Sequence, residues 1–264
     1  MVQRKRVKVT VVTPSFNQAH YLDKTIKSIL GQKGDFELEF IVMDGGSTDG
    51  SVEVLKKYGK KIQWVSQKDK GQSDAINQGW KKATGDIIAY LNSDDLYESG
   101  AIQKVVNFFE KNPKIGWVYG QTRIIDEKGK EIRKWIKRYR HWLGAKYSYN
   151  KLLMENYVAQ PSVFFRRQIL NDCGYLDEKQ HLVMDYEYWL RIGRKHKGKF
   201  LDKPIARFRW YRQSKSGSMF VKQFRQELNV AKKYARGKRW PIFVHTINYY
   251  KIITVYRLMQ LLSK

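Results

Sequence analysis

Ile87-Ile88-Ala89-Tyr90-Leu91-Asn92-Ser93-Asp94-Asp95 is the stretch that decides the fold. The first five residues form strands readily and show no polar alternation, which predicts a strand buried on both faces. The run stops abruptly at Asn92, and two adjacent carboxylates follow it. Open α/β sheets place their ligands at the carboxyl ends of strands, which is where this pair falls. Neighbouring carboxylates repel, so a site that keeps both ionised supplies a cation. Hard divalent ions such as Mg²⁺ or Mn²⁺ suit oxygen ligands and commonly arrive with phosphates. Taken alone, Asp94 and Asp95 fit a solvated turn or a helix cap as well.

Outward from this junction, strand and helix alternate over the first 125 residues. Lys8 to Thr13, Glu37 to Asp44, Ile62 to Ser66, Asp86 to Leu91 and Gly116 to Ile125 read as strands. Tyr21 to Gln32, Ser51 to Tyr58, Ser73 to Thr84 and Gly100 to Asn112 read as the helices between them. Such alternation predicts a mostly parallel sheet with helices on both faces, and puts the loops after the first four strands on one edge. Beyond residue 125 the pattern changes. Asp126 to Gly129 reads as a turn between strands, Val158 to Arg166 contains a short strand, and Asp185 to Lys195 is helical. Ile205 to Tyr211 alternates as a strand, and Phe220 to Arg236 and Trp240 to Leu262 are helices.

The loops carry the chemistry. The first strand ends in Thr13-Pro14-Ser15-Phe16-Asn17, where Pro14 fixes the exit and Phe16 offers a flat surface for a base. The second ends at Asp44, followed by Gly45-Gly46-Ser47-Thr48-Asp49-Gly50-Ser51. A carboxylate there can accept a base N–H or a ribose O–H, although the segment also reads as a loop with a cap at Thr48 or Asp49. No Gly-Lys-Ser/Thr follows, so this is neither a P-loop nor a dinucleotide fingerprint. The third leads to Lys70-Gly71-Gln72-Ser73-Asp74-Ala75-Ile76-Asn77, a helix start whose free amides suit phosphate or hydroxyl groups. Asp74 fits a cap equally, and Asn77 a core position.

These segments, with Gln160-Pro161-Ser162-Val163-Phe164-Phe165-Arg166 and Met184-Asp185-Tyr186-Glu187-Tyr188-Trp189-Leu190-Arg191, resemble the inverting glycosyltransferases of family 2. The similarity runs in order over roughly residues 7 to 218. It implies a GT-A fold: an α/β nucleotide-binding, Rossmann-like, mostly parallel mixed sheet flanked by helices. It implies that Asp44 reads the base, with Thr13, Pro14, Phe16 and Asn17 around base and ribose. Lys70, Gly71, Ser73, Asn77, Asn92 and Asp94 complete the nucleotide-sugar site. Asp95, with Asp94, is the implied ligand of Mn²⁺ or Mg²⁺, and Asp185 the implied general base. By position Asp185 also fits a helix cap. The sequence departs from the family at Tyr211, which stands where relatives often have a His before Ser214-Lys215-Ser216; Arg209, Arg212 and Lys215 are then candidates to offset phosphate charge.

Composition frames these expectations. The chain has 264 residues and a formal net charge of +26. From Arg191 onward 20 Lys/Arg face two acids, Asp202 and Glu227. With one cysteine, Cys173, no intrachain disulfide forms. No run approaches a membrane span of about 20 apolar residues. A transferase domain over residues 1–218 and a basic amphipathic helical extension over 219–264 are the expected organisation. Trp240, Tyr249, Tyr250 and Tyr256 in that extension suit an anionic bilayer surface, giving a cytoplasmic, peripherally bound protein. The expected partners are a nucleotide-sugar donor, a UDP-sugar foremost, and a saccharide or lipid-linked acceptor, with products in cell-surface polysaccharide or glycan. The alternatives are an inactive nucleotide-sugar-binding relative and a nucleic-acid-binding protein. No nucleic acid is expected, because the excess charge gathers at one end and no binding module is evident. Enzymes that make nucleotide-sugars carry a glycine-rich signature after the first strand, and Pro14-Ser15-Phe16-Asn17 replaces it.

Overall fold

The computed structural model describes residues 6–214 and 218–262, so Lys215 and Ser216 lie outside the described residues. The amino-terminal half follows the expected alternation: β1 (Lys8–Ser15), α1 (Ala19–Leu30), β2 (Glu37–Asp44), α2 (Ser51–Lys56), β3 (Gln63–Ser66), α3 (Gln72–Lys82) and β4 (Ile87–Tyr90). Then come β5 (Leu96–Tyr97), α4 (Ala101–Lys111), β6 (Trp117–Ile125), β7 (Glu131–Ile132), α5 (Lys134–Gly144) and α6 (Tyr149–Met154). The chain closes with β8 (Val163–Arg166), α7 (Gln168–Cys173), α8 (Met184–Gly193), β9 (Gly198–Arg209), α9 (Phe220–Ala235) and α10 (Arg239–Leu262).

Among the described residues these strands form one nine-stranded sheet in the order β3-β2-β1-β4-β8-β6-β9-β5, with β7 beside β6. The β3-β2-β1-β4 block is parallel, as is β6 with β9. β8 is inserted antiparallel between β4 and β6. Side chains alternate between two cores. Val9, Val11, Phe40, Val42, Ile87 and Ala89 pack with Leu22, Ile26, Ile102 and Val105 of α1 and α4. Val12, Ile41, Met43, Ile88 and Tyr90 pack on the other face with Ile76, Trp80 and Trp189 of α3 and α8. Burial on both faces explains the unbroken apolar runs in the sequence. Gly79 sets the height of α3 above the sheet, since a Cβ there would meet Val12 Cγ1 at 2.4 Å.

The second half differs from the reading of the sequence in three places. β9 begins at Gly198, well before the alternation at Ile205, because its first residues pair along β6 across a register shift near Gln121. α5 and α6 occupy the stretch from Trp135 to Asn156 that carried no element in the sequence reading. β5 follows directly on Asp95 and pairs antiparallel with β9. α9 and α10 pack on the sheet-bearing body. Val230, Ala231 and Ala235 of α9 enter the core beneath α8. His245 Nδ1 of α10 lies 2.8 Å from the Leu153 carbonyl of α6.

Candidate active site

Register alone brings the strand ends together. Ser15 sits opposite Asp44, and Asp44 opposite Ser66. Asp44 is 2% exposed and accepts from Ser66 Oγ (2.7 Å), Ser47 Oγ (2.6 Å) and Ser47 N (2.9 Å). It orders the glycine loop behind it, and Gly46 there takes φ +81°, which only glycine adopts without strain. Asn17 also takes a positive φ, and its Oδ1 accepts from Thr48 N at 2.9 Å. Asp49 reaches across to the start of α1, where its Oδ2 accepts from Ala19 N.

These ends open into a cavity of about 740 Å³. Pro14, Phe16, Gly71, Asn92, Asp94 and Asp185 line it, and Asp44 lies just behind. Thr13 is buried under the edge. Lys70 N donates to Asp74 Oδ2 at the entry to α3. Ser73 Oγ donates to Met184 Sδ, the residue before Asp185. Asn77 acts within the core: its Nδ2 donates to Leu176 O and its Oδ1 accepts from Leu176 N. It thereby fixes the segment that leads into α8.

The Asn92–Asp95 turn is tied from both halves of the chain. Gln72 Nε2 donates to Asn92 Oδ1 at 2.7 Å, and Gln160 Nε2 donates to the Tyr90 carbonyl at 2.8 Å. Asp95 is wholly buried, and its Oδ1 accepts from Arg209 N at 2.8 Å. The Arg209 side chain, 2% exposed, donates to the carbonyls of Asp94, Asp126 and Glu127 and lies over the Tyr21 ring at 4.6 Å. Tyr211, in the place where relatives often carry His, donates its hydroxyl to Asp94 Oδ2 at 3.1 Å. Arg212 is exposed.

Burial, and then the adjacent Asp94, push the Asp95 carboxyl well above the usual carboxylate range. Too little positive charge faces the pair, and a hard divalent cation would supply it. Among the described residues no group of three or more His, Cys, Asp or Glu could hold a metal ion. The donor set thus fits a cation bound by the Asp94–Asp95 turn together with oxygens of a ligand, and not a cation held by protein alone.

Asp185 stands in the first turn of α8, after its N-cap Val183. It is not the cap, and its Oδ1 accepts from Tyr186 N at 2.8 Å. Burial lifts its carboxyl above the usual range, while the Tyr186 amide and Arg140 oppose the rise. Tyr90, whose buried hydroxyl has no hydrogen-bond partner, feels the charge of both Asp185 and Asp95.

Arg140 and Asn156, which line the same cavity, fall in the stretch from Trp135 to Asn156 that the sequence offers, with Gln160-Pro161, as a candidate acceptor region; sequence reasoning did not single out Gln223 or Glu227, which line it too. One signal was available. In α9 the buried positions are Phe220, Glu227, Leu228, Val230, Ala231 and Ala235, so an acid sits on the apolar stripe of its helix.

A mixed, mostly parallel α/β sheet flanked by helices, with a tethered Asp-Asp turn at its carboxyl edge, is a GT-A-type glycosyltransferase fold. The model of glycosyl transferase family 2 matches residues 10–174, and the chain belongs to that family. An uncharacterised glycosyltransferase of Rickettsia felis is 28% identical over 248 residues, 90% of this chain and 38% of the relative. This chain therefore spans well under half the length of the first curated relatives it matches. A PGL/p-HBAD biosynthesis glycosyltransferase of Mycobacterium bovis is 27% identical over 188 residues, covering 69% of this chain and 68% of the relative. Among solved structures, S. aureus TarS 1-349 in complex with UDP-GlcNAc superposes with a TM-score of 0.65 at 17% identity, covering 84% of this chain and 66% of that one. The mannosyltransferase PcManGT from Pyrobaculum calidifontis, in complex with GDP-Man and Mn²⁺, gives 0.66 at 15% identity, covering 98% and 81%. At these identities the two structures share the fold with this chain.

Proposed function

We propose that this chain transfers a sugar, with inversion, from a nucleoside-diphosphate sugar to a hydroxyl of a saccharide or lipid-linked acceptor. The observation that carries the reading is that Asp185 and the Asp94 turn line one cavity from different elements. Phe16 and Pro14 offer the base a flat wall, Asp44 holds the loop beside it, and the start of α3 receives phosphate or hydroxyl groups. In the transfer the bond from the anomeric carbon to the diphosphate oxygen breaks. The acceptor oxygen bonds to the opposite face of that carbon, and its proton passes to Asp185. A carboxylate whose proton affinity is raised by burial is a better base for a weakly acidic hydroxyl.

Asp95 and Asp94 would hold Mg²⁺ or Mn²⁺ together with the diphosphate, as the GDP-Man and Mn²⁺ complex of the mannosyltransferase supports. A cation there supplies charge stabilisation to the departing nucleotide. The Tyr211 hydroxyl keeps Asp94 aimed. A UDP-sugar is the first donor to try, as the TarS complex with UDP-GlcNAc supports.

Across a panel of UDP- and GDP-sugars with Mn²⁺ or Mg²⁺, the wild type is expected to release nucleoside diphosphate from one donor. Asp95→Ala, confirmed as folded by its melting profile, loses metal-stimulated release. Nucleotide binding without release from any donor, acceptors included, identifies a binding-only relative. No nucleotide binding refutes the proposal and moves attention to the basic surface.

The same reading places the protein on an anionic membrane surface, within reach of lipid-linked acceptors. Trp240, Phe243, Ile247 and Tyr250 repeat at helical spacing along α10 and are all exposed, Trp240 and Tyr250 by 65% and 64%. Exposed Arg239 and Lys251 flank them. No helix among the described residues is long and apolar enough to cross a membrane. Flotation with phosphatidylserine vesicles is expected to carry the wild type upward and to leave a Trp240→Ser, Phe243→Ser, Tyr250→Ser variant behind. Equal behaviour of the two proteins removes the membrane from the proposal.

A further inference from the structure

Past Asp185 the cavity meets side chains that the transfer step leaves unused. Glu227 of α9 is 5% exposed and lines this end with Gln223, one turn earlier, and Asn156, just after α6. Gln223 Nε2 donates to Glu227 Oε1 at 3.2 Å, and Asn156 Nδ2 donates to the same oxygen at 3.3 Å. Neither bond engages Oε2. Asn156 Oδ1 is buried without a partner. Asp185 faces the same space. This end of the cavity is therefore rich in hydrogen-bond acceptors and short of donors, a costly state for buried oxygens.

The missing donors have a definable chemistry. An acceptor molecule presenting phosphate or carboxylate here would meet two carboxylates and be repelled. Arg140 of α5, at the same end, already contributes positive charge to both Asp185 and Glu227. What the site lacks is neutral O–H groups.

We propose that Glu227, Asn156 and Gln223 form the acceptor subsite, which binds a neutral sugar ring through adjacent hydroxyls and presents a neighbouring hydroxyl to Asp185. This rests on the reading of Asp185 as the base. Glu227 makes no covalent bond and keeps no proton from the reaction; Asp185 takes the proton of the attacking hydroxyl. Glu227 Oε2 and Asn156 Oδ1 accept from two ring hydroxyls, and Gln223 holds the carboxylate in place.

The cost of keeping this carboxylate is visible in the fold. Burial, with Asp185 nearby, pushes the Glu227 carboxyl up to about 7 from an ordinary 4.5, against the opposing pull of Gln223, Asn156 and Arg140. Tyr186 and Asp185 face it from α8. A carboxyl with a raised folded-state pKa favours the fold fully below its unfolded value, and that contribution is lost as pH rises through the folded value. Its stabilising effect therefore falls between about 4.5 and about 7.

The test uses the full chain with UDP or GDP bound, and the methyl glycosides of neutral hexoses and of the matching hexuronic acids as probes in ligand-observed NMR. The wild type is expected to bind a neutral hexoside at least tenfold more tightly than its uronic acid. Glu227→Ala weakens that binding roughly tenfold to a hundredfold, as for hydrogen bonds to a charged group. Glu227→Gln, which retains an accepting oxygen, falls between. Affinity for the nucleoside diphosphate stays within twofold in both variants. Glu227→Gln also raises the melting temperature at pH 8 and leaves it nearly unchanged at about pH 4, below the ordinary carboxyl value. If Glu227→Ala binds the hexoside as the wild type does, or the nucleotide-loaded wild type binds no neutral hexoside, the subsite is refuted and the transferase reading stands. If the wild type binds no nucleotide, that reading falls and the subsite with it.

Discussion

Asp185→Asn is expected to lower the turnover of sugar transfer by about 10²–10⁴-fold, the usual contribution of a positioned general base. The substitution keeps the shape of the side chain and the hydrogen bond that its Oδ1 accepts from Tyr186 N. It removes the ability to take a proton. Asp185 lies on α8, apart from the β1, β2 and β3 loops that would hold the nucleotide. Calorimetric affinity for the nucleoside diphosphate should therefore match the wild type within about twofold, while the rate collapses. The pairing of these two measurements matters, because a misfolded variant loses both. Turnover comparable to wild type would take the base role from Asp185 and leave the reaction without an assigned proton acceptor.

Arg209→Met should be the most damaging single change to stability near the site. The guanidinium is almost wholly buried and satisfies three carbonyls, those of Asp94, Asp126 and Glu127. Methionine fills much of the volume and supplies no donor. Removing one partner from a buried charged network costs about 3–5 kcal/mol, which for a chain of this size is roughly 10 °C in melting temperature. Arg212→Met, at an exposed position three residues further on, is the control and should stay within about 0.5 kcal/mol. A loss below about 1 kcal/mol for Arg209→Met would mean that water replaces the guanidinium at those carbonyls.

What the sequence disclosed follows from how each part is buried. β1, β2 and β4 were legible because they are covered on both faces and so read as unbroken apolar runs, with the polar loops after them marking one edge. The Asp94–Asp95 turn and Asp185 stand out in the sequence through the order and spacing of several motifs, and the structure brings Asp94 and Asp185 to one cavity. The two-residue β5 is too brief for periodicity to register, whereas the short antiparallel β8 falls inside the Val158 to Arg166 stretch read as containing a strand. α5 escaped notice because Trp135, Tyr139 and Trp142 are exposed, so the apolar residues of Lys134–Gly144 do not mark a buried face. The Glu227 end of the cavity is less legible for another reason. Asn156 and Glu227 come from distant parts of the chain, and the packing of α9 against α6 and α8 joins them. Glu227 alone, an acid on an apolar helical stripe, could have been noticed.

The clasp between Asp95 and Arg209 has a consequence for the order in which the molecule is made. The two residues are 114 positions apart, and the hydrogen bond between them closes a loop through β6, α8 and β9. On the ribosome, β1 to β4 can pair while the rest of the chain is still unsynthesised, since their contacts are sequentially near one another. The Asp95 carboxylate at their edge has to wait for β9. Until then it is an acidic side chain without its main-chain donor, on a sheet whose far strands have not been translated. A nascent chain at that stage has the loops after β1 to β4 but not the anchored turn beside them, so the turn is completed only when β9 docks, late in synthesis.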